Sequence, residues 1–148
     1  MDYHFKRCLE KKSLIKFNID KNLIKKEIAA AESDLKDSED VLNIGKYKLA
    51  TITAYYSMFH AARALLYSKG YREKSHFCLR IAIKNLFVDK NLLEPSFLDD
   101  YDMAKDLREN ADYKSDFSKE SAEQLIAKAK KFLEKAKILL NKGIETRG

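Results

Sequence analysis

The sequence predicts an all-α fold: an antiparallel bundle of about five helices around an up-and-down four-helix core. Three observations carry this. Apolar residues recur at steps of three and four along most of the 148 residues, whereas a β-sandwich or barrel needs period-two runs broken by frequent turns. One Pro and four Gly leave few breakers. The stretch from Thr51 to Leu66, TITAYYSMFHAARALL, is apolar or aromatic around most of a helical wheel, as in a helix enclosed by neighbours.

Within that enclosed helix Thr53, Ser57, His60 and Arg63 step by four, three and three, so they gather on one side beside Tyr56. A buried polar stripe must find partners or face a cleft, because an unpaired buried polar group costs roughly 1 to 3 kcal/mol. This stripe is the first candidate for function.

The remaining elements follow from capping and periodicity. Residues 1–18 read as a short N-terminal helix or arm, basic and loosely amphipathic, with Phe5, Leu9 and Ile15 as contacts. The bundle spans 19–142. Its first long helix keeps Ile19, Leu23, Ala31, Leu35 and Leu42 on one face, starts at Asn18 or Asp20, and ends at Gly45. The enclosed helix begins near Lys46 and stops before Gly70. Ser75 offers the next N-cap, for a helix over His76 to Val88 with Leu79, Ile83, Leu86 and Phe87 inward. Pro95 suits the first turn of a fifth helix, on which Phe97, Tyr101, Ala104, Arg108 and Ala111 share a face. The last helix repeats Ala122, Leu125, Ala129, Phe132, Ala136 and Leu139, with Ser121 or Ser118 as its cap, and Gly143 ends it before a frayed tail, 143–148. No internal repeat or long linker divides the chain, so residues 1–148 are expected to be a single domain.

Charge and cysteine usage bound the function. A net charge of +6 suits an acidic partner such as nucleic acid and equally an ordinary lysine-rich surface. Cys8 and Cys78 show no CxxC spacing, so reduced thiols are expected rather than a disulfide or a zinc site. The opening MDYHFKRCLEKK has no signal-type apolar run, and no segment approaches the roughly 18 apolar residues of a membrane span. A soluble, cytoplasmic protein away from the membrane is the expectation.

His4, His60 and His76 lack ligand spacing such as HExxH, so no metal and no cofactor is called for. Tyr55, Tyr56, Phe59 and Tyr67 read as core aromatics whose hydroxyls need partners. Lys128, Lys130, Lys131, Lys135 and Lys137 read as a solvated face. Arg108 stands apart. A guanidinium on an inward helix face must meet an anion or acceptors there: Asp112 at i,i+4, a carboxylate of another helix, or a bound phosphate.

Three segments in order, AYYSMFHAARALLYSKGY, then KSH opening a helix, then LRENADY closing one, resemble the HEPN family of prokaryotic helical-bundle domains, in its small stand-alone branch. The likeness runs from about Ile19 to Leu140. The resemblance implies a homodimer with a cleft between protomers, often paired with a small nucleotidyltransferase as toxin and antitoxin. It further implies, for catalytic members, a metal-independent ribonuclease carrying an Arg followed a few residues later by a His. Arg108 falls in the Arg slot. Tyr113 stands at or next to the His slot, and no histidine follows His76.

A ribonuclease using the 2′-hydroxyl needs a proton-transfer group near neutral pH, which histidine is at about 6.5 and tyrosine at about 10 is not. Two outcomes are therefore open: His60 or His76 supplies the group from another helix, or the domain binds without cutting. The leading expectation is a domain that binds RNA, a nucleotide or a partner nucleotidyltransferase through Arg108, with Tyr113, Asp112, His76, His60, Arg63, Tyr56 and Ser57 around it. A toxin-type ribonuclease is the alternative from the enzyme class, with Arg108, Tyr113, His60 and His76 as candidates, and a structural adaptor is the third.

Overall fold

The computed structural model describes residues 2–114 and 117–147, and side chains from 2–110 and 117–142. Its elements in order are α1 (Tyr3–Glu10), β1 (Leu14–Lys16), α2 (Lys21–Asn43), α3 (Tyr47–Ser68), β2 (Tyr71–Glu73), α4 (His76–Ile83) with a π-helical turn over Lys84–Val88, α5 (Pro95–Lys114) and α6 (Lys119–Arg147). This is the expected all-α bundle.

Helix α3 is its axis. From Ala50 to Ser68 no residue is exposed, so the helix is walled in by α2, α6, α5 and α4. Small residues let α2 approach closely, with Ala31, Ala50 and Ala54 all fully buried. Two hydroxyls bridge the gap: Ser38 donates to the Ala50 carbonyl at 2.9 Å and Ser57 to the Ala31 carbonyl at 2.8 Å. Tyr55, Met58, Leu65 and Leu66 then pack with Leu79, Ile83, Leu125 and Phe132 into one core.

The helix ends obey the capping chemistry. Asp20 accepts from the Asn22 amide at 2.9 Å, and Ser75 from the Cys78 amide at 3.1 Å. Gly45, at φ +81°, closes α2 in a Schellman motif, with Lys46 N–H on the Val41 carbonyl at 2.9 Å and Gly45 N–H on the Leu42 carbonyl at 3.0 Å. Ser118, rather than Ser121, caps α6, its hydroxyl accepting from the Ser121 amide at 3.0 Å.

Several expectations are corrected. The N-terminal segment is both a helix and a strand, because Asp2 caps α1 through the Phe5 amide at 2.9 Å while β1 pairs antiparallel with β2, Leu14 opposite Glu73 and Lys16 opposite Tyr71. Leu14, not Ile15, is the buried contact, and Ile19 is 44% exposed ahead of α2. The helix read over His76 to Val88 widens at Lys84, where the Asn85 amide donates to the Ile81 carbonyl at 2.8 Å and reaches Asp2 at 3.2 Å. Helix α6 continues through Gly143 to Arg147; one glycine costs a helix only about 1 kcal/mol relative to alanine.

The expectation of reduced thiols is also overturned. Cys8 of α1 and Cys78 of α4 form a disulfide with a Cα–Cα separation of 5.8 Å. Sequence spacing hid it, since the two are separated by 70 residues and only the folded chain brings α1 onto α4. Three of the α6 lysines are not merely solvated: Lys128 meets Asp100 at 2.8 Å, Lys137 meets Glu32 at 3.4 Å and Lys135 meets Glu94 at 4.0 Å. Among the described residues no helix is long and apolar enough to cross a membrane.

Closing a loop of 70 residues removes much denatured-state freedom. Reduction, or Cys8→Ser, is expected to lower unfolding stability by about 2 to 4 kcal/mol. Urea melts with and without reductant measure this, and the reductant should have no effect on Cys8→Ser.

Candidate functional site

Two polar clusters line α3, and Phe59 touches both. The first gathers Arg108 of α5, Tyr55 and Tyr56 of α3, and His76 of α4. The half-buried Arg108 guanidinium donates to the Tyr56 hydroxyl at 3.1 Å and lies 5.2 Å from the Tyr55 ring centroid and 5.8 Å from that of Tyr56. The same Tyr55 hydroxyl meets His76 Nδ1 at 2.8 Å, and the imidazole stacks on Phe59 with centroids 4.8 Å apart. One tyrosine therefore carries the cation over its face and the imidazole at its tip.

Burial of the ring, and after it the charges of Lys105, Arg108 and Arg63, hold the His76 pKa below its ordinary value, Glu109 opposing them weakly. Three of the charged groups acting on the imidazole are cations and one is a carboxylate. Burial also pushes the Tyr55 hydroxyl up, against the approach of the Tyr101 hydroxyl and the Arg108 charge. Tyr101 lies behind, 3% exposed with its ring 6.0 Å from that of Tyr55. Its hydroxyl approaches Tyr55 without reaching a full hydrogen bond, and burial drives its pKa far above that of a free phenol.

The second cluster has the opposite sign of partner. His60 Nδ1 meets Glu27 at 2.7 Å, and Nε2 lies 3.6 Å from Asp34. Arg63 donates to Glu73 at 2.8 Å and to the Tyr67 hydroxyl at 2.6 Å, with Glu27 at 3.5 Å. Burial pushes the Glu73 carboxyl up despite Arg63 beside it. Glu27 is drawn the other way: its burial is outweighed by the His60 hydrogen bond and the Arg63 charge, so its pKa falls. This network ties α2, α3 and β2 together.

Of the residues expected around Arg108, the structure brings Tyr56 and His76 to it. His60 and Arg63 go to the carboxylate network, and Ser57 is buried against the α2 backbone. The side chains of Asp112 and Tyr113 lie outside the described residues. Glu27, Glu73, Phe59 and Lys105 were missed. Glu27 left a signal, because Leu23, Glu27, Ala31 and Leu35 step by four along the apolar stripe of α2. A shallow groove of about 250 Å³ between α2 and α6 shares no residue with either cluster, and its lysines and glutamates alternate in sign.

Comparison with known proteins places these residues in a family frame. The family model described as HEPN domain matches residues 24–143. The chain is 34% identical over 127 residues to "Putative toxin MJ0142" of Methanocaldococcus jannaschii, covering 84% of this chain and 86% of that one. It is 34% identical over 122 residues to a "UPF0332 protein" of Archaeoglobus fulgidus, covering 78% and 93%. A second chain of the former organism, "Putative toxin MJ0605", is 31% identical over 119 residues, covering 77% and 89%.

Two outcomes follow for the clusters. Arg63→Ala strands the Glu73 carboxylate, 8% exposed, and is expected to cost about 3 kcal/mol in chemical denaturation. His76 binds its proton less readily folded than unfolded, so its contribution is full above the unfolded value near 6.5 and is lost as pH falls through the lower folded value. Denaturant melts across that window should show stability declining with pH in the parent and declining less in His76→Gln.

Proposed function

The chain belongs to the HEPN domain family, and from that premise we propose that it binds an RNA or nucleotide phosphate at Arg108, as the toxin-like member of a pair with a small nucleotidyltransferase. The observation that carries the reading is the Arg108 guanidinium fixed over Tyr55 and on the Tyr56 hydroxyl, among the cations that act on His76. A guanidinium oriented in this way presents its N–H groups in a fixed fork, which matches phosphate oxygens. The toxin names carried by two relatives support the same class. The working unit is a single cytoplasmic domain acting as a homodimer, and Asp112 and Tyr113, four and five residues after Arg108 in the chain, remain part of this proposal.

A second reading, a metal-independent ribonuclease, is favoured by one placement. His76, not His60, stands beside the Arg108 tyrosine, and its depressed pKa keeps it neutral near pH 7. A neutral imidazole there could take the 2′-hydroxyl proton as that oxygen attacks phosphorus, and return it to the departing 5′-oxygen, with Arg108 stabilising the charge on phosphorus.

Fluorescence anisotropy with end-labelled RNA and with a fluorescent nucleotide tests the first reading. Arg108→Ala should weaken binding by roughly tenfold or more with the circular dichroism unchanged. Unaltered binding of RNA, nucleotide and partner by a folded Arg108→Ala protein would end it. For the second reading, RNA cleavage in EDTA should vanish in His76→Ala and persist in His60→Ala, and intact RNA at high protein concentration counts against cutting.

A further inference from the structure

Immediately outside the Arg108 cluster the surface carries three aromatic rings in contact. Tyr3 is 70% exposed and Phe77 is 54% exposed. His4 joins them, 5.5 Å from the Tyr3 ring and 5.9 Å from that of Phe77, both edge to face. Scattered exposed rings are ordinary, but a run of three across two elements is not scatter. Nor is it a loose end: α1 is pinned by the fully buried Phe5, by the Cys8–Cys78 disulfide, and by Asp2, whose backbone N–H donates to Asn85 at 3.2 Å. The fold holds these faces toward water.

The run abuts the cations around His76. Phe77 follows His76 directly at the start of α4, and His76 stacks on Phe59 while registering Lys105, Arg108 and Arg63. Lys6 and Arg7 of α1 and Lys74, three residues before Phe77, are exposed on the segments that carry the rings, Arg7 standing 3.6 Å from Glu10. A second copy of this chain docked here about a two-fold axis would set those like charges against themselves. A polyanion that also offers flat π-faces meets both features, and single-stranded RNA is that ligand: bases stack on aromatic side chains while the backbone follows cations.

We propose that Tyr3, His4 and Phe77 form a base-stacking platform for single-stranded RNA whose backbone passes His76 toward Lys105 and Arg108. This extends the Arg108 reading and rests on it for the phosphate contact. The platform fixes the substrate class, because its rings accept any unpaired base and a duplex keeps its base faces covered.

The test is anisotropy of an end-labelled short oligouridylate with the oxidised full chain, the parent beside Tyr3→Ala, Phe77→Ala, Phe77→Trp and Arg108→Ala. Tyr3→Ala and Phe77→Ala should each weaken binding roughly five- to hundredfold, Phe77→Trp should keep it, and unlabelled duplex RNA should compete poorly. If both alanine variants bind as the parent does while Arg108→Ala binds weakly, the platform is overturned and the Arg108 reading stands. A parent that leaves the oligonucleotide unbound overturns the platform and the RNA arm of the Arg108 reading, whose nucleotide arm the fluorescent nucleotide then decides. Should Phe77→Ala instead convert a dimer to a monomer in sedimentation while RNA binding is unaltered, the rings cover a second copy and the platform is equally overturned.

Discussion

Enclosure of α3 is the constraint from which the rest follows. A helix with no exposed residue between Ala50 and Ser68 must find an internal partner for every polar atom it carries, and each partner fixes a neighbouring element. Thr51 and Thr53 solve this locally, donating to carbonyls one turn back, Tyr47 at 2.9 Å and Leu49 at 2.7 Å. Ser57 reaches α2. His60 and Arg63 recruit Glu27, Asp34 and Glu73, and so settle α2 and the two-stranded sheet against the helix. Tyr55 and Tyr56 recruit His76 and Arg108, and so settle α4 and α5.

The two clusters differ in the kind of group described against their cations. Around His60 and Arg63, three carboxylates stand within 4 Å, so the Arg63 charge is matched by anions of α2 and β2. Such a network holds elements in place and leaves little attraction for a ligand. Around His76 the dominant charges are cations, and the groups described against Arg108 are an aromatic face and a hydroxyl. A ring face and a phenol hydroxyl fix the orientation of a guanidinium.

Most of the fold was legible because local chemistry and global packing agree. Gly45, Ser75 and Pro95 sit where their backbone preferences require, and the boundaries of α3 follow from Lys46 and Gly70. The failures share one cause: they depend on partners distant in sequence. Strands of three residues are too short for alternation to show, and Leu14 opposite Glu73 is a pairing only the tertiary fold makes. Cys8 and Cys78 meet only once α1 lies on α4. On a helical wheel the polar stripe of α3 is one surface, whereas residues three or four apart on an enclosed helix can face different neighbours. Thus Tyr56 and His60 part company: one turns to α5 and the other to α2.

The first turn of α4 joins the inner site to the outer surface. Successive residues on a helix point about 100° apart, so His76 can lie against Phe59 and Tyr55 while Phe77 faces water beside His4. Three independent devices fix the rotation of that turn: the Ser75 cap, the Cys78 disulfide, and Asn85 of the π-helical turn gripping Asp2. A small rotation about the α4 axis would move the imidazole off Phe59 and carry Phe77 away from the ring of His4 together. The geometry of the Arg108 site and that of the exposed aromatic run are therefore one variable, set by how the N-terminal helix is locked onto α4.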